Sequence, residues 1–354
     1  MVIYLCLLIL IMFVFMIFKN KNKALLLSFI LIAIVACLRK YTVGVDTLQF
    51  YRAFSKIVSD SSWNYNNFRY EPGFYYLCKL LGKINSEPQI LIMFTSIFIN
   101  MSVYKFIKKN STDYCLSTIL YIIMNNFFSN MNIMRQAIAL AILLYGFEFL
   151  KDKKYIKYIF AVCIASLFHT VAFSALLLLI FSILPKKRWV YLLEIVLAIV
   201  TFVFYSKFFN ILTLGFGYSG YMDTEFGLSN YFGSLLSALE SLFVMIFLFV
   251  VSYNKKKFVK NNYIFRLLSI AIILYIWFSF LVMRMNIFNR ISGIYSIYSI
   301  VFISYLLDEM KNNNIENYKI SRGIILLIYF ASFIIISIFR PEWYGVIPYN
   351  FFWQ

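Results

Sequence analysis

Apolar runs of about 15–20 residues recur along the whole of this chain, and each is roughly long enough to cross a bilayer as a helix. That repetition constrains the fold more than any motif does. Of the 354 residues, 62% are hydrophobic and 14% are charged, whereas a soluble domain carries about a quarter charged residues. No hydrophilic stretch is long enough to form a soluble domain of its own. The expectation is therefore an all-α, polytopic helical membrane protein with residues 1–354 forming a single integral membrane domain.

Basic clusters in the short connections set the orientation, because Lys and Arg concentrate on the cytoplasmic side. The first run, 2–18, has no basic n-region and is followed by Lys19, Lys21 and Lys23 where a signal peptide would have its cleavage site. It reads as a retained span ending inside. A second run at about 24–38 returns outward to Arg39. Further runs at about 89–107, 114–128, 133–150, 189–206, 234–252, 263–281, 291–307 and 321–339 then alternate, with an Asn-rich turn from Asn125 to Asn132. As one helix, 155–184 would be about 45 Å long and would carry Lys186, Lys187 and Arg188 outside. A break at Phe168-His169-Thr170 keeps them inside; its recessed turn is allowed only where protein or a water-filled cavity surrounds it. The sum is about 12 transmembrane or re-entrant segments.

The net charge of +18 is explained by these loops, so nucleic acid is not an expected partner. The five cysteines are scattered through apolar segments without CxxC spacing, which implies neither a disulfide framework nor a zinc site. There is no DxD pair, HExxH or GxxxxGK[ST] phosphate loop, so no metal or nucleotide cofactor is expected.

Two segments face outward in this topology, 39–88 and 207–232. The first is a polar island holding Arg39, Asp46, Arg69 and Glu71 with Trp63, Tyr65, Tyr70 and Tyr75. Within it, 47–58 places Phe50, Tyr51, Phe54, Ile57 and Val58 on one helical face, and 72–82 does the same with Phe74, Leu77, Cys78 and Leu81. Pro72 suits a first helical position, and both helices are expected to lie along the membrane interface.

Ionisable groups at membrane helix ends are functional candidates by default, and each also has a structural reading. Asp46 with Gln49 three residues on resembles a capping box. Glu71, a poorer cap type, points to an ionic partner or a catalytic role. Arg135 and Arg290 stand at helix starts, where the macrodipole disfavours a cation; a bound anion would offset this, and so would an ion pair with Asp46 or Glu71. Arg284 is a further candidate. His169, the only histidine, is either a hydrogen-bonded core residue or a base working near neutral pH. Trp63 and Tyr70 suit sugar faces as well as they suit interfacial anchoring.

Arg39 with Val43-Gly44-Val45-Asp46-Thr47 and Tyr51, Tyr70-Glu71-Pro72-Gly73-Phe74, Met134-Arg135-Gln136-Ala137-Ile138-Ala139, Phe168-His169 and Asn289-Arg290 follow one another in a fixed order. In this the chain resembles, over nearly its full length, the EpsG family of bacterial exopolysaccharide proteins, which is similar to Wzy-type polymerases. It departs from the usual Gly-Thr-Asp-Thr by reading Gly44-Val45-Asp46-Thr47. The resemblance implies a GT-C-like multi-span glycosyltransferase in the bacterial cytoplasmic membrane. Its reaction would join undecaprenyl-diphosphate-linked repeat units on the outer face, for exopolysaccharide, capsule or O-antigen. The lipid-linked glycan, membrane lipid, a chain-length regulator and a flippase are the implied partners.

A lipid diphosphate leaving group needs guanidinium donors, which grip phosphate bidentately. Arg135, Arg284 and Arg290 fit that role, with Arg39 either joining them or ordering the acids. The acceptor hydroxyl needs a base, for which His169, Glu71 and Asp46 are the candidates. A flippase, a polysaccharide ligase and a non-enzymatic assembly subunit are the rival classes. Against a transporter, the charged groups collect at one face and not near the midplane.

Overall fold

The computed structural model describes residues 1–60, 70–185, 187–207, 263–312 and 317–354, with scattered positions between 233 and 246. The expected span at 234–252 and the external loop 207–232 fall largely outside these residues, as do Trp63, Tyr65 and Arg69. Every regular element among the described residues is helical, and the one strand-like pairing is an isolated antiparallel bridge between Arg39 and Phe351. Among the described residues four helices are long and apolar enough to cross a membrane: Gln89–Asn110, Tyr263–Val282, Asn286–Asn312 and Tyr318–Phe339. Shorter apolar helices accompany them.

The chain forms two compact units, Met1–Ala172 with Asn314–Gln354, and Phe173–Asn313. In the first, α1 (Val2–Ile17) and α2 (Lys21–Cys37) are joined by a tight turn. Asn20 caps α2 by accepting from the Asn22 and Lys23 amides at 3.0 and 3.2 Å. The two amphipathic helices form where the periodicity places them, α3 over Thr47–Ser59 and α4 over Pro72–Gly82. Their apolar faces are spent on protein. Phe50, Phe54, Ile57, Phe74, Cys78 and Leu81 join Leu91 and Ile92 of α5 (Gln89–Asn110) and Met134 and Ile138 of α8 (Met134–Lys151) in one core. Burying each large apolar side chain stabilises by about 1.5–3 kcal/mol, which holds both helices on the bundle. Tyr76 and Leu80 on α4, and Ile84 just beyond it, are exposed.

The Asn-rich stretch is not a turn. After α6 (Tyr114–Ile123), Asn125 adopts a left-handed conformation, and α7 (Asn126–Asn132) follows. The asparagines turn inward because the interior offers them partners. Asn130 donates to the Tyr121 hydroxyl at 3.0 Å, and that hydroxyl donates to Asn100 at 3.1 Å.

The far end of α8 is also polar. Glu148 pairs with Lys151 at 2.7 Å and lies 3.6 Å from Lys109 of α5, while Asn110 donates to Glu148 at 2.7 Å. Arg135 and Lys151 are separated by about 24 Å at 1.5 Å per residue.

The expected break in 155–184 is present. Helix α9 spans Tyr155–Ser166, and the backbone resumes as a 3-10 turn over Thr170–Ala175 before α10 (Leu176–Ile183). In the second unit α11 (Arg188–Val203) and α13 (Asn289–Asn312) pack against α12 (Tyr263–Val282). The Trp277 indole donates to Thr201 at 2.6 Å and the Tyr295 hydroxyl to the Ser174 carbonyl at 2.6 Å. The last helix, α14 (Tyr318–Phe339), belongs to the first unit and ties Arg322 to Asp113 at 2.9 Å.

Candidate functional site

In the first unit the fold gathers four separate sequence motifs around one guanidinium. Arg135 stands in the first turn of α8. It donates to the Glu71 carboxylate, and both side chains are 15% exposed. The other Glu71 oxygen accepts from the Thr170 amide at 3.3 Å. Glu71 occupies the N-cap position of α4 without capping it, with Pro72 at the first helical position. Its carboxylate is thus turned away from its own helix and bridges α8 to the start of the 3-10 turn. The cost of a cation at a helix N-terminus is offset here by the ion pair.

Aromatic rings support the same guanidinium. Its carbon lies 4.2 Å from the Tyr70 ring centroid and 5.7 Å from that of Phe50, within the range of a cation–π contact. Tyr70 in turn meets Phe50 and Phe74. One face of Tyr70, a candidate for sugar stacking, is therefore covered by Arg135. The Arg135 Nε–H is buried without a hydrogen-bond partner. The arrangement is a partly exposed, rigidly backed guanidinium whose Nε–H is buried and unpaired.

Backbone contact closes the cluster. Gly73 donates its amide to the Leu167 carbonyl at 2.7 Å, so the start of α4 lies directly on the end of α9. A Cβ at position 73 would stand 2.7 Å from that carbonyl oxygen. Gly73→Ala is accordingly expected to destabilise by about 1–3 kcal/mol, read as a lower unfolding temperature in detergent, and to lower any activity measured at this site.

His169 lies within the break, 4% exposed. Its Nδ1 accepts from the Val171 amide at 3.3 Å, which places the proton of the neutral ring on Nε2. Asp46 takes the N-cap position of α3, but its side chain makes no cap hydrogen bond, so the capping-box reading does not hold. Its backbone amide donates to the Asn132 side chain at 2.9 Å, two residues before α8 begins.

Arg39 behaves differently from the expectation that it binds phosphate or orders the acids. It is 1% exposed and donates to the Ala36 carbonyl, to Ser96 at 2.7 Å and to the Met131 carbonyl at 3.1 Å. Ala36 lies in the last turn of α2 and Met131 in that of α7, where backbone carbonyls carry partial negative charge. Two helix C-termini thus hold this cation in place of a carboxylate. Burial pushes its guanidinium down to about 10, which leaves it protonated at neutral pH.

Arg284 and Arg290 belong to the second unit. Arg284 is exposed and stacks on Phe202 at 4.5 Å and on Tyr205 at 5.5 Å. Arg290 is half-buried in the first turn of α13. Trp63 lies outside the described residues. Among the described residues no three His, Cys, Asp or Glu side chains are grouped to hold a metal ion.

Sequence reasoning missed Thr170, Phe50 and Leu167 as parts of the site. The motif order carried a signal for the first, since Phe168-His169 adjoins it; nothing in the sequence marks a backbone amide or carbonyl as a contact. No curated protein and no solved structure matches the chain. A family model described as the EpsG family matches residues 22–351 of the 354, the stretch that holds every element of this site, and the chain belongs to that family.

Proposed function

We propose that the protein is a polysaccharide polymerase that joins undecaprenyl-diphosphate-linked repeat units on the outer face of the bacterial cytoplasmic membrane. In this reading it spans the membrane with about 12 transmembrane or re-entrant segments in a GT-C-like, single integral domain. The observation that carries the proposal is the Arg135 cluster: a partly exposed guanidinium backed by two rings and oriented by Glu71, whose buried Nε–H has no hydrogen-bond partner. Guanidinium forks match phosphate geometry, and preorganised donors act most strongly where water is excluded.

In the proposed reaction an acceptor hydroxyl oxygen attacks the anomeric carbon of the growing chain. The bond from that carbon to the lipid diphosphate breaks, and the diphosphate leaves with the electron pair beside Arg135. The hydroxyl proton passes to a base. Both Glu71 oxygens are engaged by Arg135 and Thr170, so Glu71 acts as a positioning residue. Asp46 is the proposed proton acceptor. His169, with its proton on Nε2, is the proposed donor to substrate oxygen. Arg284 and Arg290 are proposed as phosphate contacts from their helix-end positions alone, and Trp63 as a sugar contact from its residue type.

The test is reconstitution with a defined lipid-linked repeat, scored by product length. Asp46→Asn is expected to lower turnover by about 10²–10⁴-fold, the usual worth of a general base; wild-type turnover in Asp46→Asn removes its assignment. In cells, loss of the protein is expected to leave single lipid-linked repeats outside. Repeats trapped inside would indicate a flippase, and long lipid-linked chains a ligase.

A further inference from the structure

The segment after α14 turns back along the polar island. Past the short 3-10 turn Pro341–Trp343, residues 344–352 run beside residues 38–45. Gly44 donates its amide to the Gly345 carbonyl at 2.7 Å, Lys40 to Asn350 at 2.9 Å, and Phe352 to Leu38 at 2.9 Å. Two hydroxyls fasten the same segment, Tyr349 to the Val35 carbonyl at 2.8 Å and Tyr4 to the Val346 carbonyl at 3.0 Å.

The loop it grips leads into the Arg135 site by two routes. Forward along the chain, Gly44 and Asp46 lead into α3, which brings Phe50 under the guanidinium. Across the fold, the Asp46 amide is held by Asn132, two residues before the start of α8 and three before Arg135. We infer that Gly345 is a positioning residue for the Arg135 site, holding the 39–46 loop and, through Asp46 and Asn132, the start of α8. The inference rests on the polymerase reading above.

Only glycine suits the position. Its φ is +62°, and an added Cβ would stand 2.8 Å from both the Val45 Cγ2 and the Val45 backbone nitrogen. The exposed Val45 side chain can turn aside. The backbone nitrogen moves only if the loop moves with it, so Ala at 345 levers the loop off its seat. Gly323 in α14 supplies the matched control, because a Cβ there meets nothing within 4 Å.

The experiment compares full-length wild type, Gly345→Ala and Gly323→Ala, reconstituted with a lipid-diphosphate-linked repeat, for turnover, KM and amide hydrogen exchange. Gly345→Ala is expected to lose tenfold or more in turnover with KM within twofold of wild type. Exchange is expected to quicken at Lys40, Gly44, Asp46 and the first turn of α8 but not in α5 or the rest of α8, and Gly323→Ala is expected to match wild type. Tyr349→Phe, which removes one hydrogen bond and keeps the Gly345 backbone, is expected to show a smaller loss of the same kind. Wild-type turnover in Gly345→Ala despite faster loop exchange would overturn the inference while leaving the polymerase reading intact. Exchange that quickens equally through α5 and α8 would also overturn it, as a general loss of stability. If the wild type forms no polymer, the reaction itself fails and the positioning role fails with it.

Discussion

Arg135→Lys is expected to cut the rate of chain extension by about 10²–10³-fold, the usual cost of removing one preorganised donor to developing charge, while leaving the protein folded. Lysine keeps the positive charge, so a role limited to neutralising Glu71 would survive the change. What it loses is shape. The planar guanidinium meets Glu71 through one nitrogen, lies over Tyr70 at 4.2 Å and carries further N–H donors in the same plane; an ammonium cannot do all three. Glu71→Gln keeps the size of the side chain and its acceptor for the Thr170 amide but removes the charge that orients Arg135. Because the two residues touch, the double variant is expected to be non-additive, with a coupling of about 0.5–3 kcal/mol in transition-state free energy. Turnover of reconstituted protein decides the matter. If Arg135→Lys turns over as fast as wild type and only the unfolding temperature drops, the pair is structural and the proposed phosphate contact is gone.

Arg39→Leu is expected to produce the largest loss of stability, about 3 kcal/mol or more, since each buried acceptor left unpaired costs about 1–3 kcal/mol. Leucine fills much of the space but takes the Arg39 donors from the Ala36 carbonyl and the Ser96 hydroxyl, and leaves the Met131 carbonyl only the Thr47 hydroxyl, at 3.4 Å. These three groups belong to α2, α7 and α5, so one side chain ties three helices. Arg39→Lys is not expected to rescue, because a point charge on a flexible stem lacks the fork that reaches all three at once. The measurement is thermal unfolding in detergent alongside KM for the lipid-linked repeat. Normal stability with a raised KM would return Arg39 to the phosphate-binding group.

The two residues divide what was readable in advance. Both carried the same mark in the sequence, an arginine at a helix end in a chain that is 14% charged. Such a mark identifies an expensive residue without saying what compensates it. The answer is Glu71, from 64 residues away, for Arg135, and two helix C-termini for Arg39. Compensation depends on three-dimensional approach, which linear spacing does not report. Asp46 shows the converse: its spacing to Gln49 fits a local capping pattern, yet its side chain is not used as a cap.

Helix identity was legible because its cause is local. The 3.6-residue period placed α3 and α4 and their buried faces almost to the residue, and Phe168-His169-Thr170 marked the break before Thr170. Hydrophobic runs established a membrane-type helical fold, and the ordered motifs established the EpsG family. The Asn-rich stretch misled, because polarity reads as a turn unless the interior holds partners for it, and Tyr121 and Asn100 were such partners. The need for glycine at 73 and 345 was equally hidden, since it arises from contact with backbone at Leu167 and Val45. Composition and period determined which segments are helical and that they suit a bilayer. Only the tertiary packing decided which charges meet, which helix ends receive a cation, and that residues 344–352 close over the loop carrying Asp46.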